Sequence, residues 1–127
     1  MEETPMTTSE MTTDGSLTHR LAMIDEALAA GTMSRAFYEW HEAHGHAFRS
    51  GRWEALVAVG DAAARIDAAA GATAGFRADA RRVYMAALVL ARAEQSGAGV
   101  RRIAEALGSL GDHALAAHAR RAAEDLC

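Results

Sequence analysis

The sequence predicts an all-α protein, and three observations carry that prediction. Beyond residue 16, apolar residues recur at three-and-four spacing along almost the whole chain; no segment alternates apolar with polar residues as a strand does; and glycines separate the periodic stretches. Alanine, the strongest helix former, fills 32 of the 127 positions, and the one proline is Pro5.

Taken in order, residues 1–16 are rich in Thr, Ser and Glu and lack apolar periodicity, so they read as a disordered acidic tail. Residues 17–127 read as a single helical domain. Ser16 is a candidate N-cap for a first helix with Leu17, Leu21, Ile24 and Leu28 on one face and Gly31 as its stop. Thr32 or Ser34 opens a second, with Met33, Phe37, Trp40, His44, Ala47 and Phe48 along one side and Ser50-Gly51 at its end. A third starts at Arg52 or Trp53 and turns Trp53, Leu56, Gly60 and Ala63 or Ala64 inward, ending near Gly71. The fourth runs from about Thr73 to Gln95 with Phe76, Ala80, Val83, Ala87 and Leu90 inward, and Ser96-Gly97-Ala98-Gly99 breaks it. The fifth buries Val100, Ile103, Leu107 and Leu110. A sixth, capped by Asp112, buries Leu115, Ala119, Ala122 and Leu126.

Connections of about two to five residues force consecutive helices to be antiparallel neighbours. Small residues on the inward faces (Gly60, Ala63, Ala87, Ala119, Ala122) imply close helix approach and a thin core. Two stretches align without a gap at an offset of 60 residues: Trp40, Ala43, His44 and Ala47 with Gly51 and Trp53, against Val100, Ile103, Ala104 and Leu107 with Gly111 and His113. Each is a helix, a glycine turn and a second helix. This pattern resembles the tetratricopeptide repeat, in WHEAHGHAFRSGRWEAL for a first half and VRRIAEALGSLGDHALAAHARRAAE for a nearly complete unit. His44 stands where that repeat has a small residue, and no proline closes either copy. The resemblance implies a helical hairpin array that binds another protein or a peptide; an irregular helical bundle is the alternative.

Charge narrows the function. All 13 cations are arginine, a bias associated with GC-rich bacterial genomes, and four of the 17 carboxylates (Glu2, Glu3, Glu10, Asp14) lie in the first sixteen residues. The remainder is charge-neutral, which gives no electrostatic case for nucleic acid or an anionic membrane. Cys127 is the single cysteine, so no intrachain disulfide can form, and the N-terminal stretch lacks the features of a secretory signal. No run of about 20 apolar residues could span a bilayer. The expected location is the cytoplasm.

His41, His44 and His46 place three of the six histidines within six residues. A zinc motif on one helix face needs histidines at i and i+4. His41 and His44 lie about 60° apart around a helix and could give two ligands to a transition metal such as zinc, whereas His46 lies about 160° from His44. The alternative role for the chain is therefore a small metal- or cofactor-binding protein that uses this cluster; the ordinary role for His44 is packing on the apolar stripe.

Phe37, Tyr38, Trp40, Phe48 and Trp53 concentrate the aromatics and are expected to anchor the core, with Tyr38 and His41 pointing outward as candidate partner-binding residues. Arg81-Arg82, Arg101-Arg102 and Arg120-Arg121 recur in successive helices, and a stripe containing Arg81, Arg82 and Arg101 could grip an acidic peptide. Against that, Glu105, Glu124 and Asp125 sit at i+4 from Arg101, Arg120 and Arg121, as on a solvated face. Nucleophilic catalysis has no support, since Cys127 is terminal and the serines are mostly cap or loop residues; no glycine-rich loop follows a strand to cradle phosphate, and no Glu-x-x-His pair occurs. The expectation is a non-catalytic interaction module without a cofactor, its groove lined by the second to fourth helices. A short array leaves two terminal faces, which a homodimer would cover.

Overall fold

The computed structural model describes residues 4–71 and 75–126, with side chains from Ser16 onward. Among these residues run six α-helices and no strand: α1 (Thr4–Ala30), α2 (Met33–Ser50), α3 (Trp53–Ala70), α4 (Phe76–Ala93), α5 (Gly97–Leu110) and α6 (His113–Asp125). None is long and apolar enough to cross a membrane. Residues 1–3, the expected start near Thr73 and the terminal Cys127 lie outside the described residues.

Two boundaries differ from expectation. Ser16 is not an N-cap, because α1 is continuous from Thr4 and helical backbone runs through most of the stretch read as a tail. Extending an existing helix adds about one hydrogen bond per residue fixed, so a segment without an apolar stripe can still continue one. The glycines of 97–99 do not end the fourth helix either: they form the first turn of α5. Ser96 caps that turn, its Oγ accepting from the Gly99 N–H at 3.0 Å. The chain reverses one step earlier, at Gln95, the one described non-glycine residue with positive φ (58°).

Three helices end in the same wrap, in which an N–H just past the helix reaches back five residues. Thr32 donates to the Ala27 carbonyl, Ser96 to Ala91 and Asp112 to Leu107, each at 2.9 Å. The intervening residues are Gly31, Gln95 and Gly111. As expected, Asp112 caps α6, accepting from the Leu115 N–H at 3.3 Å. Gly75, at the start of α4, has no side chain to cap with; instead Asp67, near the end of α3, accepts from the Arg77 N–H at 3.1 Å.

Packing is most extensive within α1–α2, α3–α4 and α5–α6, less so between α2–α3 and α4–α5, and α3 also meets both α1 and α5. The molecule is thus a row of three helical hairpins with α1, α3 and α5 in contact along it. Their turns contain Gly31, Gly71 and Gly111, spaced forty residues apart, a periodicity that the 60-residue alignment does not capture. That alignment sets α2–α3, which belong to neighbouring hairpins, against α5–α6. Ion pairs also link the odd helices at separations of 40 and 41 residues: Arg65 of α3 reaches Asp25 of α1 at 2.9 Å, and Arg102 of α5 reaches Asp61 of α3 at 2.6 Å.

Small residues set how closely the helices pack, both within a hairpin and between hairpins. A Cβ on Gly60 would lie 2.5 Å from the Tyr84 ring, and one on Gly99 would lie 2.8 Å from the Trp53 indole. Each glycine therefore admits an aromatic ring from a neighbouring helix. Tyr84 is buried over α3 and donates to Asp61 at 2.6 Å, so one carboxylate holds both the phenol and Arg102. Burial and that hydrogen bond push the Tyr84 phenol well above its usual range, keeping it a donor. Trp40 is buried and donates from Nε1 to the Val59 carbonyl at 2.9 Å, tying α2 to α3.

The expectation that the second-helix aromatics jointly anchor the core needs correction. Trp40 does, together with Phe76 and Tyr84 of α4, and Tyr38 points outward as expected (58% exposed), but Phe48 is 66% exposed. The reason is angular: the buried side of α2 is Ala36, Trp40, Ala43 and Ala47, and Phe48 lies about 100° beyond Ala47. Leu110, Leu115 and Leu126 are also only partly buried. A buried acid completes the α1–α2 hairpin: Glu39 accepts from Arg20 at 3.0 Å and from Arg35 at 3.1 Å.

Candidate functional site

Next to the buried stripe of α2 runs a second one, Phe37, His41, His44 and Phe48, at i, i+4, i+7 and i+11. It faces α4. Because both are even members of an antiparallel row, α2 and α4 run in the same direction, and their side chains meet along a seam. At its start Phe37 stacks on Phe76 with ring centroids 5.0 Å apart, and Phe76 meets the Trp40 ring edge-on at 5.1 Å. In the middle, His44 stacks on Trp40 at 5.1 Å and 17°, while His41 stands edge-on to the same indole at 5.2 Å.

At its far end the seam opens. Phe48 and Val89, each 66% exposed, border a groove of about 370 Å³ whose other lining residues are Gly51, Leu56, Ala86 and Leu90. Aromatic rings close the N-terminal half, and mid-sized and small aliphatic groups leave the C-terminal half unfilled. Large apolar side chains are thus exposed on both walls of one groove.

The electrostatics of the seam centre on His44. Burial lowers its pKa, and the neighbouring His41 and Arg82 add to that shift, with Asp79 opposing them. At neutral pH His44 is thus an uncharged ring on the indole face. Asp79 is ion-paired to Arg82 at 2.8 Å within α4, which leaves this part of the seam close to neutral.

The structure separates the sequence-predicted site residues. His41 is exposed at the edge of the seam, and Tyr38 lies about 60° further round α2, on the side away from the core. Arg82 faces the seam, but Arg81 turns to the other side of α4 and pairs with Asp112, the N-cap of α6, at 2.9 Å. Arg102 is held by Asp61, and Arg101 lies on the outer side of the α5–α6 hairpin. Arg81, Arg82 and Arg101 therefore form no common stripe; adjacent residues on a helix point about 100° apart, and in this row opposite sides of a helix meet different neighbours. His41 and His44 do lie together against Trp40, but among the described residues no group of three or more His, Cys, Asp or Glu side chains is placed to hold a metal ion.

Sequence reasoning missed Val89 and Leu56 as groove residues. Val89 was legible as an apolar residue on the outward side of a helix whose inward stripe already contained Val83, Ala87 and Leu90. No protein-family model matches this chain, and neither a curated protein nor a solved structure does.

Proposed function

We propose that this protein is a non-catalytic interaction module that receives an amphipathic helical segment of another protein in the open half of the α2–α4 seam. The observation that carries this reading is the pair of large apolar side chains, Phe48 and Val89, exposed on opposite walls of one apolar groove. Two parallel helices with an unfilled furrow between them form a surface that a third helix can enter through bulky residues one turn apart, with the furrow walls covering their sides. The helical hairpin row and its resemblance to tetratricopeptide units support the same reading, since such arrays present extended binding surfaces. His41 and Arg82, at the closed end, would meet the polar flank of the incoming helix. Tyr38 and Arg101 lie away from this groove, and Arg81 is engaged with Asp112; none of the three is part of the proposed contact.

A displayed library of amphipathic helical peptides, panned against the intact protein, tests the proposal. Enriched peptides should shift the amide resonances of Phe48, Leu56 and Val89, and Phe48→Asp with Val89→Asp should abolish binding while leaving the helical circular dichroism unchanged. Peptides that bind equally well to the double variant, or a library with no enriched sequence, would overturn the reading.

A further inference from the structure

Each apolar wall of the α2–α4 groove has an exposed arginine on its outer side. Arg49 directly follows Phe48, and Arg92 lies one turn beyond Val89, about 60° round α4 from it. Among the described residues neither arginine has a carboxylate within ion-pair distance. Both occupy the last turn of their helix, where a cation complements the terminal carbonyls. Arg49 does not point that way: its guanidinium folds back along α2 and lies 3.2 Å from where a Cβ on Gly45 would be. Gly45 precedes Phe48 by one turn and lies about 60° round α2 from it, so this charge flanks the groove wall.

The carboxylates at this end of the molecule face elsewhere. Glu42 lies about 120° from Phe48 around α2 and stands 3.8 Å from Arg20 of α1. Glu54 lies about 160° from Leu56 around α3 and, with Arg52, lines a separate pocket against Leu17 and Leu21 of α1. Glu94, just past the end of α4, lies about 140° from Val89. Asp79, further along the seam, is taken by Arg82 at 2.8 Å. The open half of the groove is thus an apolar furrow between two unpaired positive charges.

Resting on the reading that this groove receives a helix, we infer that its partner is an acidic amphipathic helix: a stripe of large apolar residues that fills the furrow, with Asp or Glu on both shoulders to meet Arg49 on one side and Arg92 on the other. A second copy of this chain laid groove to groove would set arginine against arginine. The acidic N-terminal stretch of the chain has the charge but lacks the apolar stripe.

The test uses three fluorescently labelled helical peptides that share one leucine stripe and carry shoulders of glutamate, glutamine or lysine, each titrated with the intact protein and read by anisotropy. Two exposed ion pairs should make the glutamate peptide bind about fivefold more tightly than the glutamine peptide, with the lysine peptide weakest. That advantage should vanish in molar salt, while the glutamine peptide stays bound. Arg49→Glu with Arg92→Glu should reverse the order, and the affinity gained for the lysine peptide also shows the variant to be folded. Equal binding of all three peptides, or an order unchanged in this variant, would overturn the inference; if that binding is still lost on Phe48→Asp with Val89→Asp, the groove reading stands without it. Polyglutamate binding as tightly as the glutamate peptide, or a glutamate peptide that still binds the Phe48→Asp, Val89→Asp protein, would place the acidic contact away from the groove and overturn the inference. No binding of any peptide at hundreds of micromolar would overturn both readings.

Discussion

Replacing Gly60 with alanine should destabilise the protein even though it adds the best helix former to the middle of a helix. In isolation the exchange is worth about 1 kcal/mol in favour of alanine. In the folded protein the added methyl would lie 2.5 and 2.7 Å from two carbons of the Tyr84 ring. That ring cannot yield easily, because it is buried and its hydroxyl is fixed to Asp61 at 2.6 Å. Overpacking of a filled core costs about 1–3 kcal/mol. If the ring swings away, the hydrogen bond to a charged acceptor goes with it, at about 1.5–3 kcal/mol. Against the helix gain, the net loss is about 2 kcal/mol, a fall in Tm of about 8 °C for a domain of this size. Thermal and urea melts followed by circular dichroism measure it. The same exchange at Gly45 provides the internal control, since only the mobile guanidinium of Arg49 approaches that position, at 3.2 Å; there the helix gain should survive as a stabilisation of up to about 1 kcal/mol. A double variant carrying Tyr84→Leu should remove most of the Gly60→Ala penalty. A Gly60→Ala protein that melts above the wild type would refute the account of how α3 and α4 are packed.

Three further outcomes follow from the same geometry. His44 has a folded-state pKa below its unfolded value of 6.5, so the folded form binds the proton more weakly. Its contribution to stability is complete above pH 6.5 and declines as pH falls from there through the lowered pKa. His44→Phe keeps a ring against Trp40 and should flatten this acid limb in denaturation midpoints measured across pH; an unchanged limb would assign it to another group. Gln95→Gly should raise stability by about 1 kcal/mol in urea melts, because Gln95 holds a left-handed φ of 58° in the wrap that ends α4. Asp67→Ala should lower stability by about 1 kcal/mol, since the Asp67 carboxylate accepts from the second N–H of α4, whose N-cap glycine offers no side chain. Asp67→Asn should restore part of that loss.

The helices and most of their limits were legible in the sequence because their causes are local. Gly31, Gly51, Gly71 and Gly111 end helices where a left-handed or extended turn favours glycine, Asp112 caps the helix that follows it, and three-and-four spacing marks Ile24, Trp40, Leu56, Val83, Ile103 and Ala119 as buried. Each of these depends on residues within about a turn or two of one another. The seam was only half legible: the histidine cluster drew attention to His41 and His44 and the aromatic concentration to Phe48, but neither told which side of that helix the core would cover. Only packing between residues twenty or more positions apart decided this. The neighbour across α2 leaves Phe48 exposed while Trp40 is buried; Arg81 and Arg82 diverge because α6 lies to one side of α4 and α2 to the other. In the same way, Gly60 and Gly99 are required by the rings of Tyr84 and Trp53 and not by any turn. Helix formation is a local property of the backbone, whereas exposure, pairing and the shape of a groove belong to whichever distant segment arrives next to it.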